Sequence, residues 1–153
     1  MIYISSLKHL SSLLFFIFIA GCAPTERYAL PQDADASSLA SIYLYRTNTL
    51  FHSLNPEKPY IYLDDKVIAT LGTGETEFLK VPAGKYRLSV RQPLLFMPSN
   101  ESDSFEAEFE AGESYYIRYA LDFDEVVSYG EGAAVTGTSN FHMVDKATYD
   151  ERR

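Results

Sequence analysis

The side chains able to do chemistry are few and scattered. One thiol, Cys22, stands directly behind the uncharged run from Leu10 to Ala20. His52 and His142 lie far apart, and no His-x-x-x-His or Glu-x-x-His spacing exists to hold a transition metal. Asp122, Asp124, Glu125 and Glu131 form an acidic cluster. Oxygen ligands at alternate positions there would suit Ca2+, with Asp122, Asp124 and Glu125 as the ligands, although the full calcium-loop pattern is missing. The same carboxylates, with Tyr119, Tyr129 or His142, would suit acid/base chemistry on a small ligand. Ser37, Ser38, Ser53 and Ser99 lack the context of a nucleophile elbow. Gly130, Gly132 and Gly137 do not open a helix and so build no phosphate cradle. These residue types predict no enzyme and no cofactor, and no catalytic residue is assigned.

The thiol is the best defined of them because of what precedes it. Lys8 and His9 form a short charged region, Leu10 to Ala20 an apolar one, and Ala20-Gly21 a pair of small residues. This is a secretory signal layout, with an apolar run too short to cross a bilayer core of roughly 30 Å. Ile19-Ala20-Gly21-Cys22 resembles the bacterial lipobox. The resemblance implies cleavage before Cys22, acylation of its sulfur and then of its new amino group, and membrane attachment without membrane crossing. Several acyl chains on one residue give the stable anchoring that a single chain does not, at about 0.8 kcal/mol per buried CH2. Ala23 stands where, in lipoproteins of double-membraned bacteria, an Asp commonly retains the protein in the inner membrane. By that resemblance the destination is the outer membrane, facing the periplasm.

Removing residues 1–21 from the 153 leaves 132, enough for one domain. The whole chain carries 13 Lys and Arg against 21 Asp and Glu, a formal charge of −8. Lys8 is the one Lys or Arg of the removed segment, so the mature charge is −9. Such a protein is a poor binder of nucleic acid or anionic lipid through bulk charge. With the sole cysteine acylated no disulfide forms, so the core must supply the stability. Twelve Tyr and ten Phe suit pleated surfaces.

Residues 22–38 are polar, hold two prolines and show no sustained period, which predicts a flexible tether; a first strand over Arg27–Leu30 is the alternative. From Leu39 the period becomes two. Ala40, Ile42 and Leu44 alternate with Ser41, Tyr43 and Tyr45. Asp64-Asp65 sits between two strand patterns as a hairpin turn. A strand over Thr76–Val81 stops at Pro82-Ala83-Gly84, where Pro fixes φ and Gly supplies a positive one. Tyr86, Leu88 and Val90 alternate with Arg87, Ser89 and Arg91, and Phe105, Ala107 and Phe109 with Glu106 and Glu108, before a turn at Ala111-Gly112-Glu113. Tyr115, Ile117, Tyr119 and Leu121 continue the pattern, and Phe141–Val144 ends it. Asp145 then caps a short C-terminal helix. Seven or eight short strands over residues 39–153 predict an all-β, antiparallel two-sheet sandwich with one solvated face per sheet and opposite charges facing across paired strands.

The runs Tyr60 to Ala69, Val81 to Tyr86 and Ala111 to Ile117 resemble a bacterial lipoprotein family, the domain of unknown function 2846. That family shows a strand ending in Arg, a Leu-Asp-Gly-Lys hairpin, a Val-Pro-Pro-Gly turn and an Ala-Gly-Glu-x-Tyr-Tyr turn, here over about Ser41 to Val144. Asp65 replaces the Gly and Ala83 the second Pro. The resemblance implies a transthyretin-like or immunoglobulin-like sandwich and supplies no catalytic residues.

If every connection reverses the chain, the tight turns at 64–65, 82–84 and 111–113 gather at the end nearest the tether. Long loops at 47–57, 72–75, 93–103 and after Leu121 then gather at the far end. Two of these carry apolar residues: Leu50, Phe51 and Leu54 in one, Leu94, Leu95, Phe96 and Met97 in the other. Such loops serve as a lid on the core, as a patch for a protein partner, or as a bilayer insert. The expectation is a lipid-anchored periplasmic module that binds an envelope protein, or acts structurally, through these far loops.

Overall fold

The computed structural model describes residues 26–49, 58–94, 97–130 and 132–151. Eight strands form two four-stranded sheets, as the two-residue period requires: β1 (Leu39–Arg46), β2 (Tyr60–Leu63), β3 (Lys66–Thr70), β4 (Thr76–Pro82), β5 (Gly84–Leu94), β6 (Met97–Phe109), β7 (Ser114–Tyr129) and β8 (Gly132–Val144). The first sheet has the order β4-β1-β7-β8 and the second β3-β2-β5-β6. The all-β sandwich stands, with one departure from a purely antiparallel scheme: β1 pairs with β7 in parallel, Ser41 opposite Ser114 and Arg46 opposite Tyr119. The chain reaches that pairing by leaving the first sheet for the second twice, through β2–β3 and through β5–β6.

The core lies between the sheets and takes every second residue. Ile42 and Leu44, Ile61 and Leu63, Leu88 and Val90, Ala107 and Phe109, and Ile117 and Tyr119 are all buried in it. Each large apolar side chain so enclosed contributes about 1.5–3 kcal/mol.

The tight turns do gather at one end. Ala83 N–H donates to Ser38 O (2.9 Å) and Gly112 N–H to Leu39 O (2.9 Å), so both corners sit where β1 begins. Pro82–Gly84 joins two sheets rather than two paired strands, and Gly84 lacks the positive φ expected of it. The corner is held instead by Tyr86, whose ring lies over Gly84 and whose hydroxyl donates to Pro82 O at 3.0 Å. In the β2–β3 hairpin the left-handed residue is Asp64 (φ 52°), so Asp65 in place of the family's Gly costs no strain. Asp64 also fastens the hairpin to β5: its N–H donates to Arg87 O (2.7 Å) and its carboxylate accepts from Arg87 N–H (2.9 Å).

Four expectations are corrected. Residues 93–103 and 122–137 are not loops: β5–β6 and β7–β8 are long hairpins that outrun their neighbours. β2 meets β5 no further than Arg91, and β1 meets β7 no further than Tyr119. Beyond those rungs each hairpin is a two-stranded arm, and Ala120–Tyr129 of β7 extends about 30 Å at the rise of a strand. Gly130 turns the second arm with φ 59°. The first sheet's outer face is not simply solvated: Tyr43, Phe78 and Tyr116 form an aromatic cluster under Tyr149 of helix α1 (Lys146–Asp150). Asp145 caps that helix, its carboxylate accepting from Thr148 N–H at 2.7 Å. On the second sheet the expected charge pairing is present, with Arg87 opposite Glu106 and Lys85 opposite Glu108.

The fourth correction concerns residues 26–38, expected as part of a flexible tether. Glu26, Arg27 and Tyr28 are docked along the open side of the sandwich, and residues 29–33 beyond them are exposed. Val67 N–H donates to Glu26 O (2.8 Å), Tyr28 N–H to Val67 O (2.9 Å), and Tyr28 Oη to Lys80 O (3.1 Å). Tyr28 packs on the core between β3 and β4, which are edge strands of different sheets. Asp35 then starts a 3₁₀ turn over Ala36–Ser38 that leads into β1.

The opposite open side is shut by β6 and β8. Phe105 and Phe141 meet with ring centroids 5.1 Å apart, and the Asp103 carboxylate accepts the Phe141 N–H at 2.9 Å. That N–H faces outward from an edge strand, and a hydrogen bond to a carboxylate contributes about 1.5–3 kcal/mol. Asp103→Ala is expected to lower unfolding free energy by about that amount, read as a reduced urea midpoint at unchanged slope. A loss under about 0.5 kcal/mol would show that the two sheets do not depend on this bond.

Candidate functional site

The arms emerge from one end of the sandwich, and a layer of polar residues fills their base. Inward alternation in β1 runs Ala40, Ile42, Leu44 and then Arg46, which is 2% exposed. Arg46 Nη1 donates to Leu71 O at 3.1 Å, and the guanidinium lies 6.0 Å from the centroid of the Tyr119 ring. Its backbone N–H donates to Glu75 O at 3.0 Å. Burial draws the Arg46 pKa down, opposed by Tyr119 and Glu75. The Glu75 carboxylate binds Lys58 Nζ (2.6 Å) and Gly72 N–H (2.7 Å), and these, with the charges of Lys58 and Arg46, hold it below the usual carboxylate range. A buried cation is costly unless countered in this way.

Tyr119 is buried beside Arg46. Burial raises its pKa, opposed by a hydrogen bond from the Gln92 side-chain amide. Gln92 belongs to the first arm and Tyr119 to the second. With Asp103 bonding Phe141, the layer therefore ties β1, β5, β6, β7 and β8 together where the arms leave the core. On the outer face of the first arm's base, Arg87 grips Glu101 with both nitrogens (2.7 and 2.5 Å) and Ser104 Oγ at 2.8 Å, which lowers the Glu101 pKa to about 2.

Of the apolar residues expected at this end, Leu94 and Met97 are directly paired at the tip of the first arm, and Met97 is 64% exposed. Leu50, Phe51, Leu54, Leu95 and Phe96 lie outside the described residues, as do Cys22 and His52. Asp122, Asp124 and Glu125 stand on β7 rather than in a loop, and Glu131 lies outside the described residues. Asp122 is exposed and faces Asn140, with Nδ2 3.5 Å from its Oδ2; a register shift falls between Phe123 and Glu125, leaving Asp124 without a cross-strand partner. His142 lies opposite Arg118 on the outer face of the first sheet, whereas Tyr119 faces the core. The sheet thus separates Tyr119 from Asp122 and His142. Among the described residues, no group of three or more His, Cys, Asp or Glu side chains converges.

A family model, "Protein of unknown function (DUF2846)", matches residues 36–133. The chain belongs to this family. The match contains Arg46, Gln92, Asp103 and Tyr119; the docked residues before Ala36 and helix α1 lie outside it. No curated protein matches the chain.

The polar layer was within reach of alternation. Continuing each inward row by one more rung gives Arg46 after Leu44, Gln92 after Val90, and Asp103 before Phe105. If this layer carries the arms, Arg46→Ala should cost about 2–5 kcal/mol, through the lost volume and the unpaired Leu71 carbonyl. Arg46→Met, which refills the volume, should cost less. Equal stability of wild type and Arg46→Ala in chemical denaturation would contradict this role.

Proposed function

We propose that the protein is an outer-membrane lipoprotein, anchored through acylated Cys22 and facing the periplasm, whose domain binds an envelope protein or acts structurally through its two arms. One observation carries the reading. The chain enters the domain at the turn end, with Glu26 beside Lys66 and Val67, and both arms leave from the opposite end, so the arms point away from the anchor. Isolated two-stranded ribbons are marginal in water, and an arm that stands clear of its own sandwich gains from a surface to lie on. The exposed Met97, paired with Leu94 at an arm tip, offers an apolar contact of the adaptable kind that binding surfaces favour.

A binding module fits better than a hydrolytic one, because Tyr119 is enclosed in the core while Asp122 and His142 stand outside it. No nucleic-acid partner is proposed for a chain of net charge −8.

A photoreactive residue at Met97, with another at Asp65 on the turn end as control, tests this in intact cells. The expected result is a discrete protein adduct at Met97 and none at Asp65, with palmitate incorporation and adduct both lost in Cys22→Ser. A folded, acylated protein that gives no adduct at Met97 would refute the binding role.

A further inference from the structure

We infer that residues 26–38 act as a strap that seats the turn end of the domain close to the bilayer and displays the arm tips to a protein surface standing far from that bilayer. This rests on the lipoprotein reading above. Three residues separate Cys22 from Glu26, so the covalent reach from the anchor to the docked chain is at most about 14 Å. Were the chain free up to Leu39, that reach would be about 60 Å. The docking removes most of it.

The direction of docking sets which end faces the membrane. Arg27 bridges Val67 in parallel, so Glu26 sits beside Lys66 at the start of β3, next to the Asp64–Asp65 turn. The other tight turns lie at that same end, and their exposed charges, Asp64, Asp65, Glu110 and Glu113 against Lys66 and Lys85, leave the rim net acidic. An acidic rim is repelled by anionic headgroups within a Debye length of about 8 Å. The rim is therefore held near the surface by the strap without adsorbing to it.

The arms point the other way. β7 runs from this rim at Ser114 to its tip at Tyr129, about 50 Å at the rise of a strand. The second tip thus stands about 50–60 Å from the anchoring surface, and the first, eleven residues along β5 from Gly84, about 35–50 Å. A partner embedded in the same leaflet and projecting little from it is out of reach; one that rises from elsewhere in the envelope is not.

The test uses the acylated full chain in phosphatidylethanolamine/phosphatidylglycerol vesicles carrying a headgroup energy acceptor. A donor dye is placed on Asp65→Cys or on Met97→Cys, each the one free thiol once Cys22 is acylated. Transfer is expected to be at least severalfold greater at position 65 than at 97. A twelve-residue Gly/Ser insertion between Thr25 and Glu26 leaves the docked contacts in place and should pull that ratio toward one. Equal transfer at the two sites with Cys22 acylated, or a ratio unmoved by the insertion, would overturn the strap while leaving the lipoprotein reading intact. An intact mass showing Cys22 without acyl chains would overturn both.

Discussion

A sandwich of two open sheets has two slots along its sides, and each exposes both apolar core and the unpaired backbone of edge strands. The ordinary remedies are bulges, edge charges or a covering segment. Here both slots are shut by hydrogen bonds that cross from one sheet to the other. On one side a carboxylate of β6 takes an outward N–H of β8, with a phenylalanine from each strand beneath it. On the other, Tyr28 fills the gap between β3 and β4, its backbone bonded to one sheet and its hydroxyl to the other. The second closure recruits a segment whose composition alone suggests a linker, and on the proposed reading it couples the stability of the domain to the position of its anchor.

The same economy appears at the two ends. The turn end is made of short connections that fasten each other, with Asp64 on Arg87 and Tyr86 on Pro82. At the far end the described residues hold one such corner, Gly72–Glu75, where Glu75 N–H donates to Gly72 O at 3.0 Å, while two hairpins continue as arms. What lies between core and arm is a polar layer, costly to bury and partnered across several strands, with Arg46 Nε making no hydrogen bond among the described residues, and such networks fix geometry more than they add stability. Arg46 holds its place through the Leu71 carbonyl, the Tyr119 ring and the nearby Glu75, and this directs both arms from one point. The family to which the chain belongs contains this layer within its matched span, whereas the strap precedes it.

Much of the fold was legible because burial on one face imposes a period of two, and Ile42, Leu88, Ala107 and Ile117 all obey it. Turn chemistry located three corners, although Pro82–Gly84 proved to be a change of sheet, which local residues do not encode. The parallel β1–β7 pair was invisible for the same reason: register between strands some seventy residues apart is a property of the whole topology. The arms were taken for loops because β5 and β6 near their tip hold Pro93 and Pro98, and β8 begins with small residues, all poor strand signals. The alternative of a strand over Arg27–Leu30 touches the docked residues, which form a single bridge at Arg27, but a lone aromatic in a polar run has no period to mark Tyr28 as the plug. Arg46, Gln92 and Asp103 do follow the inward period, but their polarity hides them in a pattern read from apolar residues.

On the proposed reading, membrane attachment, closure of the sandwich and outward display of the arms meet at a few backbone groups beside Val67. Hydrogen exchange at the amides of Tyr28 and Val67 in the full chain reads those groups directly. A docked strap predicts exchange slowed about a hundredfold or more relative to an unstructured peptide. Exchange at the free-peptide rate at Tyr28, with the core amides of β1 protected, would mean that residues 26–38 are a tether after all, and that the anchor does not set the orientation of the domain.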